Sequence, residues 1–226
     1  MKTCPAVIAA LPREVRALVK GWELHTLPGR VAVYTNGEAV VACAGMGAAR
    51  AAVAVQAAME RMPVTVLLSV GLAGACDPAL RVGDIVRAGV VIDGQTGERF
   101  ENSRFDEVLV TTGTIASVSE KRKLRNANLA DAVDMEASAV ARLAQALGLE
   151  FHAIKAISDE ADFEMGGLSQ FCGPDGHFRE AAFALHVAAR PALWRKAIAL
   201  GRNSESALRS LTEAIAGELD WYRKQG

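Results

Sequence analysis

The chain has 226 residues, 51% apolar and 23% charged, which is enough to bury a core without disulfides or a structural metal and too apolar for a disordered segment. Its 25 Lys and Arg balance 26 Asp and Glu to a net charge of −1, which gives no electrostatic ground for a nucleic-acid or anionic-membrane surface. No stretch approaches the ~18 uninterrupted apolar residues of a transmembrane helix, and Met1-Lys2-Thr3-Cys4-Pro5 leads straight into an apolar segment with no signal-peptide pattern. The expectation is a cytoplasmic protein with a single domain over residues 1–226. Cys4, Cys43, Cys76 and Cys172 fit neither a zinc pattern nor a CxxC motif and read as buried small hydrophobes in a reduced compartment.

In chain order, Ala6 to Ala10 reads as a buried strand, and Pro12 then opens a helix expected to run through Val19. Val31 to Tyr34 and Ala39 to Ala44 flank Asn36-Gly37, a strong hairpin signal. Gly45-Met46-Gly47 closes that hairpin, and a small-residue helix follows from Ala48 to about Met62. Val64 to Val70 has the continuous apolar character of a central parallel strand, with Gly71-Leu72-Ala73-Gly74 as a tight turn after it. A strand is expected after Val82-Gly83-Asp84 through Val91, a loop over residues 93 to 107, and a strand from Glu107 to Thr112. Lys121-Arg122-Lys123-Leu124-Arg125 reads as a solvated helix face. Asp134-Met135-Glu136 opens an Ala-rich helix to about Leu147, Phe151 to Ile157 forms the next strand, and the remainder is largely helical, interrupted by Cys172-Gly173-Pro174-Asp175-Gly176 and Pro191. In the last segment Leu208, Leu211, Ile215 and Leu219 repeat at helical spacing. Strands alternating with helices imply an α/β fold with a mostly parallel sheet.

Three carboxylates stand where strands end: Glu14, Glu136 and Asp159. Ligands of open α/β sheets bind outside the carboxyl ends of strands, although acids at such places also cap helices. Gly45-Met46-Gly47 lacks the full G-x-G-x-x-G spacing, because position 50 is Arg, so a tight turn is the simpler reading than a dinucleotide site. His152 lies within a strand and reads as a packed residue, and His25, His177 and His186 have no partner at metal-binding spacing. Neither a metal nor another cofactor is expected.

The ordered series carries more information than its parts. It runs Ala10-Leu11-Pro12-Arg13-Glu14-Val15, Gly45-Met46-Gly47, Ser69-Val70-Gly71-Leu72-Ala73-Gly74, Val82-Gly83-Asp84-Ile85-Val86, Val133-Asp134-Met135-Glu136-Ala137-Ser138-Ala139, and Ala156-Ile157-Ser158-Asp159-Glu160-Ala161-Asp162. Over about residues 5 to 165 this series resembles the nucleoside phosphorylase family, and most closely its methylthioadenosine/S-adenosylhomocysteine nucleosidases. The resemblance implies a three-layer fold, a twisted mixed sheet partly closed into a barrel and flanked by helices. The implied chemistry is cleavage between ribose C1′ and a purine nitrogen. In that scheme Asp159 protonates the purine at N7, Glu136 holds the ribose hydroxyls, Met135 lies beneath the sugar, and Glu14 positions or deprotonates the attacking water. Ala73, Gly74, Ser158, Ile115 and Ala116 complete the substrate contacts, with Ile115 in place of the family's usual aromatic on a shortened base loop.

Such an acid must hold a proton near neutral pH, which for Asp159 implies a raised pKa, most simply from an apolar pocket. Phosphorolytic members of the family have an Arg at the Glu14 slot and another near Ser69, so the carboxylate favours water as nucleophile. Phosphorolysis is the alternative, with Arg13 and Arg16 near the first slot, and a non-catalytic nucleoside-binding module is a third reading. Strings in the C-terminal third, Gly176-His177-Phe178-Arg179, Arg190-Pro191-Ala192-Leu193-Trp194 and Arg202-Asn203-Ser204, resemble hopanoid-associated phosphorylases. That likeness implies a lipid-linked adenosine, with Trp194, Phe178 and Leu193 either at a lipid-facing mouth or in ordinary helix packing. The expected partners are a purine nucleoside and, by the same resemblance, a second copy of the chain in a homodimer or larger assembly.

Overall fold

The computed structural model describes residues 3–102, 104–164, 169–171, 173 and 194–225. Its strands are β1 (Pro5–Ala9), β2 (Glu23–Leu27), β3 (Val31–Thr35), β4 (Val40–Cys43), β5 (Val66–Ala75), β6 (Ile85–Asp93), β7 (Arg99–Glu101), β8 (Glu107–Thr111), β9 (Ala132–Asp134) and β10 (Glu150–Asp159). The helices are α1 (Pro12–Val15), α2 (Ala48–Met59), α3 (Val118–Asn128), α4 (Ala137–Leu147) and α5 (Trp194–Gln225). One sheet contains every strand, and part of it closes on itself. β10 pairs with β6, β6 with β8, β8 with β9, β9 with β5, and β5 again with β10. A wing leaves this ring from β5 in the order β1, β4, β3, β2. The twisted mixed sheet with a partial barrel is therefore present. The mostly parallel sheet expected from element order is not, because β6 runs antiparallel to β10, β9 antiparallel to β5, and β2–β3–β4 form an antiparallel meander.

Helices cover both faces of the wing, which gives the three layers. Alternation along β1 and β4 sends Ala6, Ile8, Val40 and Ala42 toward Ala51, Ala54, Val55 and Ala58 of α2. Val7, Ala9, Val41 and Cys43 face the other way, toward Ala207, Leu211 and Ile215 of α5. The alanines let α2 sit close to the sheet, and each fully buried Leu211 or Ile215 contributes about 1.5–3 kcal/mol. Cys4, Cys43 and Cys76 are buried, as expected of small hydrophobes.

Four local expectations are corrected. The helix from Pro12 stops at Val15, and residues 16–21 turn back through Gly21 at φ +85°. β2 escaped the sequence reading because an edge strand with a largely exposed face carries little apolar signal. Within 93–107, β7 adds to the edge of β6 with Phe100 as its buried residue. Gly71 to Gly74 is not a turn but the second half of β5, where small residues leave room for the side chains that converge there. No helix among the described residues is long and apolar enough to cross a membrane.

Candidate active site

The carboxyl end of the ring is where the candidate residues meet. Along the β10–β5 ladder Ile157 pairs with Ala73, but Asp159 pairs with Gly74, so Ser158 is an extra residue on β10. Such a bulge re-aims the side chain that follows it. Asp159 turns into a cavity of about 470 Å3 beside Gly74, Ser158, Met135 and Glu136. Glu14 from α1 bounds the same cavity, as do Ala73, Ile115 and Ala116. All nine residues named from the sequence thus open on one space. Leu200, Ser204 and Leu208 of α5 form part of its outer wall, while Trp194 at the start of α5 is 50% exposed. Phe178, Leu193, His177, His186 and Cys172 lie outside the described residues.

The two glutamates are fixed by backbone. Glu14 is buried, and its Oε2 accepts the Leu11 N–H at 2.8 Å, so this residue both caps α1 and lines the cavity. Gly71, at φ +144°, keeps that carboxylate free of a side chain: a Cβ there would lie 3.2 Å from Oε1. Burial raises the pKa of Glu14, against the pull of the Leu11 N–H, Lys155 and Arg13. Glu136 Oε1 accepts the Gly47 N–H at 2.8 Å, so the Gly45-Met46-Gly47 loop serves a protein carboxylate. Asp134, rather than Glu136, caps α4, accepting from Ala137 N–H at 2.9 Å. Burial and the neighbouring Asp134 push the Glu136 pKa up to about 7, opposed by Lys155 and the Gly47 N–H.

Two lysines escaped the sequence reading. Lys155 interrupts the apolar run of β10 and is fully buried, with Nζ 2.9 Å from Asp134 and 3.1 Å from Ser69 Oγ. Burial pulls its pKa down, but Asp134, Glu136 and Glu14 outweigh that and leave it above the ordinary lysine value. A charge inside a doubly buried strand needs a partner, and that was the available signal. Lys121 corrects the solvated basic face: Arg122 and Lys123 are exposed, but Lys121 is 1% exposed and pairs with Asp159. Its place in the register was readable, since residue 121 shares the inward stripe of α3 with Val118 and Leu124. Asp159 therefore does not stand in the purely apolar pocket expected of it. Lys121 donates to Oδ2, and Ser158 Oγ donates to Oδ1 at 2.7 Å. The strand histidine, His152, is packed as expected, with Nε2 at 2.6 Å from Glu150.

A closed mixed ring with a mixed wing, carrying acids from three chain regions into one open cavity at its end, defines a class of α/β enzyme-like fold. The sequence matches the Phosphorylase superfamily over residues 6–107 and 106–186, and the chain belongs to that family. An aminodeoxyfutalosine nucleosidase of Campylobacter jejuni is 25% identical over 195 residues, covering 69% of this chain and 85% of that protein. The solved 5′-methylthioadenosine/S-adenosylhomocysteine nucleosidase of Colwellia psychrerythraea, in complex with adenine, superposes with a TM-score of 0.73 at 18% identity, covering 97% of this chain and 96% of that one. The futalosine hydrolase of Helicobacter pylori gives 0.71 at 16% identity over 97% and 98%. These structural likenesses establish the shared fold.

Proposed function

We propose that this protein hydrolyses the N-glycosidic bond of a 5′-substituted adenosine and releases adenine. The observation that carries the reading is the opening of Glu14, Glu136 and Asp159 on one cavity. Breaking the bond leaves an electron-rich purine and an oxocarbenium-like sugar, so an acid at the base and carboxylates at the sugar serve the two ends of the separating charge. Asp159 gives its proton to N7 as the C1′–N bond breaks. Glu136 accepts the ribose hydroxyls, Met135 supplies an apolar floor beneath the sugar, and Glu14 takes a proton from the attacking water. Ile115 and Ala116 flank the base, and Ala73, Gly74 and Ser158 shape the wall behind it.

Water suits this site better than phosphate. Its nucleophile end carries Glu14 and Glu136 with Arg13 on the same wall, and the nearby Lys155 ammonium is already matched by Asp134 at 2.9 Å. A dianion brought there meets carboxylates. The test is a chromatogram of products from methylthioadenosine, S-adenosylhomocysteine and a lipid-linked adenosine, each with and without phosphate. Adenine and a free sugar at equal rates in both buffers is the expected result, whereas a phosphorylated sugar, or no base from any substrate, contradicts the reading. Self-association belongs to the same proposal: light scattering gives a dimer or larger species if it holds and a monomer if it does not.

A further inference from the structure

We propose that Lys121 is a positioning residue for this reaction, holding the carboxyl group of Asp159 toward the base and facing the charge left there when the base departs with its proton. The proposal rests on the nucleosidase reading above. α3 is a polar helix whose buried side chain is Lys121. Its first turn is fixed by a capping box, Ser117 N–H donating to Glu120 Oε2 at 2.7 Å and Glu120 N–H to Ser117 Oγ at 3.3 Å. Its last turn is tied down by Arg125, which pairs with Asp77 and, at 2.9 Å, with Asp131. A helix so anchored at both ends presents one ammonium inward.

That ammonium has three N–H bonds, and three acceptors take them: Asp159 Oδ2, the Glu160 carbonyl at 2.8 Å and the Phe163 carbonyl at 3.3 Å. The acid and the chain that follows it are thereby clamped to one point. Ser158 Oγ donates to the other oxygen of Asp159 at 2.7 Å and stands 3.3 Å from the Ala73 carbonyl. Gly74 makes the approach feasible, because a Cβ there would lie 2.9 Å from Asp159 Oδ2 and 3.0 Å from Lys121 Cε. In the reactive form Asp159 carries a proton on a carboxyl lone pair that Lys121 and Ser158 leave free; that O–H bond breaks as N7–H forms, and the electron pair of the glycosidic bond passes into the purine ring. The negative charge that remains on Asp159 lies against the Lys121 ammonium, an attraction that grows as the transition state is reached and so acts on kcat more than on binding.

The test compares Lys121→Met in the wild-type and Asp159→Asn backgrounds, and Lys121→Ala with and without ethylammonium. Binding of 7-deazaadenosine, which has no N7 to protonate and so keeps its base, is measured alongside. Lys121→Met is expected to lower kcat about a hundredfold or more while KM and the analogue's Kd stay within about threefold. In the Asp159→Asn background the same change is expected to alter the residual rate by less than about threefold, because the two residues act as one unit. A kcat near the wild-type value, or an equal loss in both backgrounds, overturns the proposal. If Lys121→Met folds poorly, Lys121→Ala decides: recovery of kcat with ethylammonium supports the role and absence of recovery overturns it. Absence of base release by the unaltered protein overturns the nucleosidase reading as well, which the wild-type control separates from a failure of Lys121 alone.

Discussion

Glu136 has two duties that pull against each other. Its carboxylate must be ionised to accept two sugar hydroxyls, yet burial and Asp134 hold its pKa near 7 rather than the ordinary 4.5. Between those values the unfolded chain is ionised while the native side chain keeps its proton. This group's contribution to stability therefore declines as pH rises through the window and levels off above about 7. Nucleoside binding runs the other way and tightens over the same window. Calorimetric titration with 7-deazaadenosine across that range is expected to show weakening below about pH 7 in the wild type, and Glu136→Gln is expected to bind weakly at every pH. Asp134 is the second residue whose loss is costly. It accepts from Thr111 Oγ1 at 2.7 Å and from Ala137 N–H at 2.9 Å, and it neutralises Lys155. Asp134→Ala strands a buried ammonium, and chemical denaturation is expected to give a loss of about 3–5 kcal/mol. A loss below about 1 kcal/mol contradicts the account of that pair.

At the scale of elements, the bulge in β10 decides which way the acid faces. Deleting Ser158 removes the extra residue and the hydroxyl that donates to Asp159 Oδ1, so the acid keeps its place opposite Gly74 but loses the aim that the bulge gives it. The deletion variant is expected to keep its secondary structure by circular dichroism and to release adenine about a hundredfold more slowly, and turnover at the wild-type rate contradicts the role of the bulge. Ser117→Ala tests the anchoring of α3, with an expected cost of about 1 kcal/mol in thermal unfolding. What could be read from the sequence follows the range of the interactions. Asn36-Gly37 marked its hairpin, and the apolar run of β5 marked a central strand, because turn chemistry and burial on both faces are local signals. The extension of β5 through Gly71 to Gly74 was hidden, since glycines that make room for Glu14 and Asp159 look like turn residues until those side chains are in place. Lys121 was hidden for the same kind of reason: four cations stand in five residues, and the one turned inward is distinguished by its register on α3 and by a partner 38 positions away.

At the scale of the whole molecule, ring closure brings the distant acids together. Strand β5 pairs with β1, β9 and β10, so residues from both halves of the chain share one end of the ring. The motif order already contained the carboxylates, while the antiparallel joins at β6 and β9 that close the ring depend on pairings no local pattern records. One measurement bears most directly on the claim that this assembly delivers water to a nucleoside. The protein is given its best adenosine substrate in water enriched in oxygen-18, with phosphate present, and the sugar is analysed by mass spectrometry after a quench faster than anomeric exchange. The account predicts free adenine and an unphosphorylated sugar carrying one heavy oxygen at C1′. A phosphorylated sugar without the label, or an intact nucleoside, contradicts it.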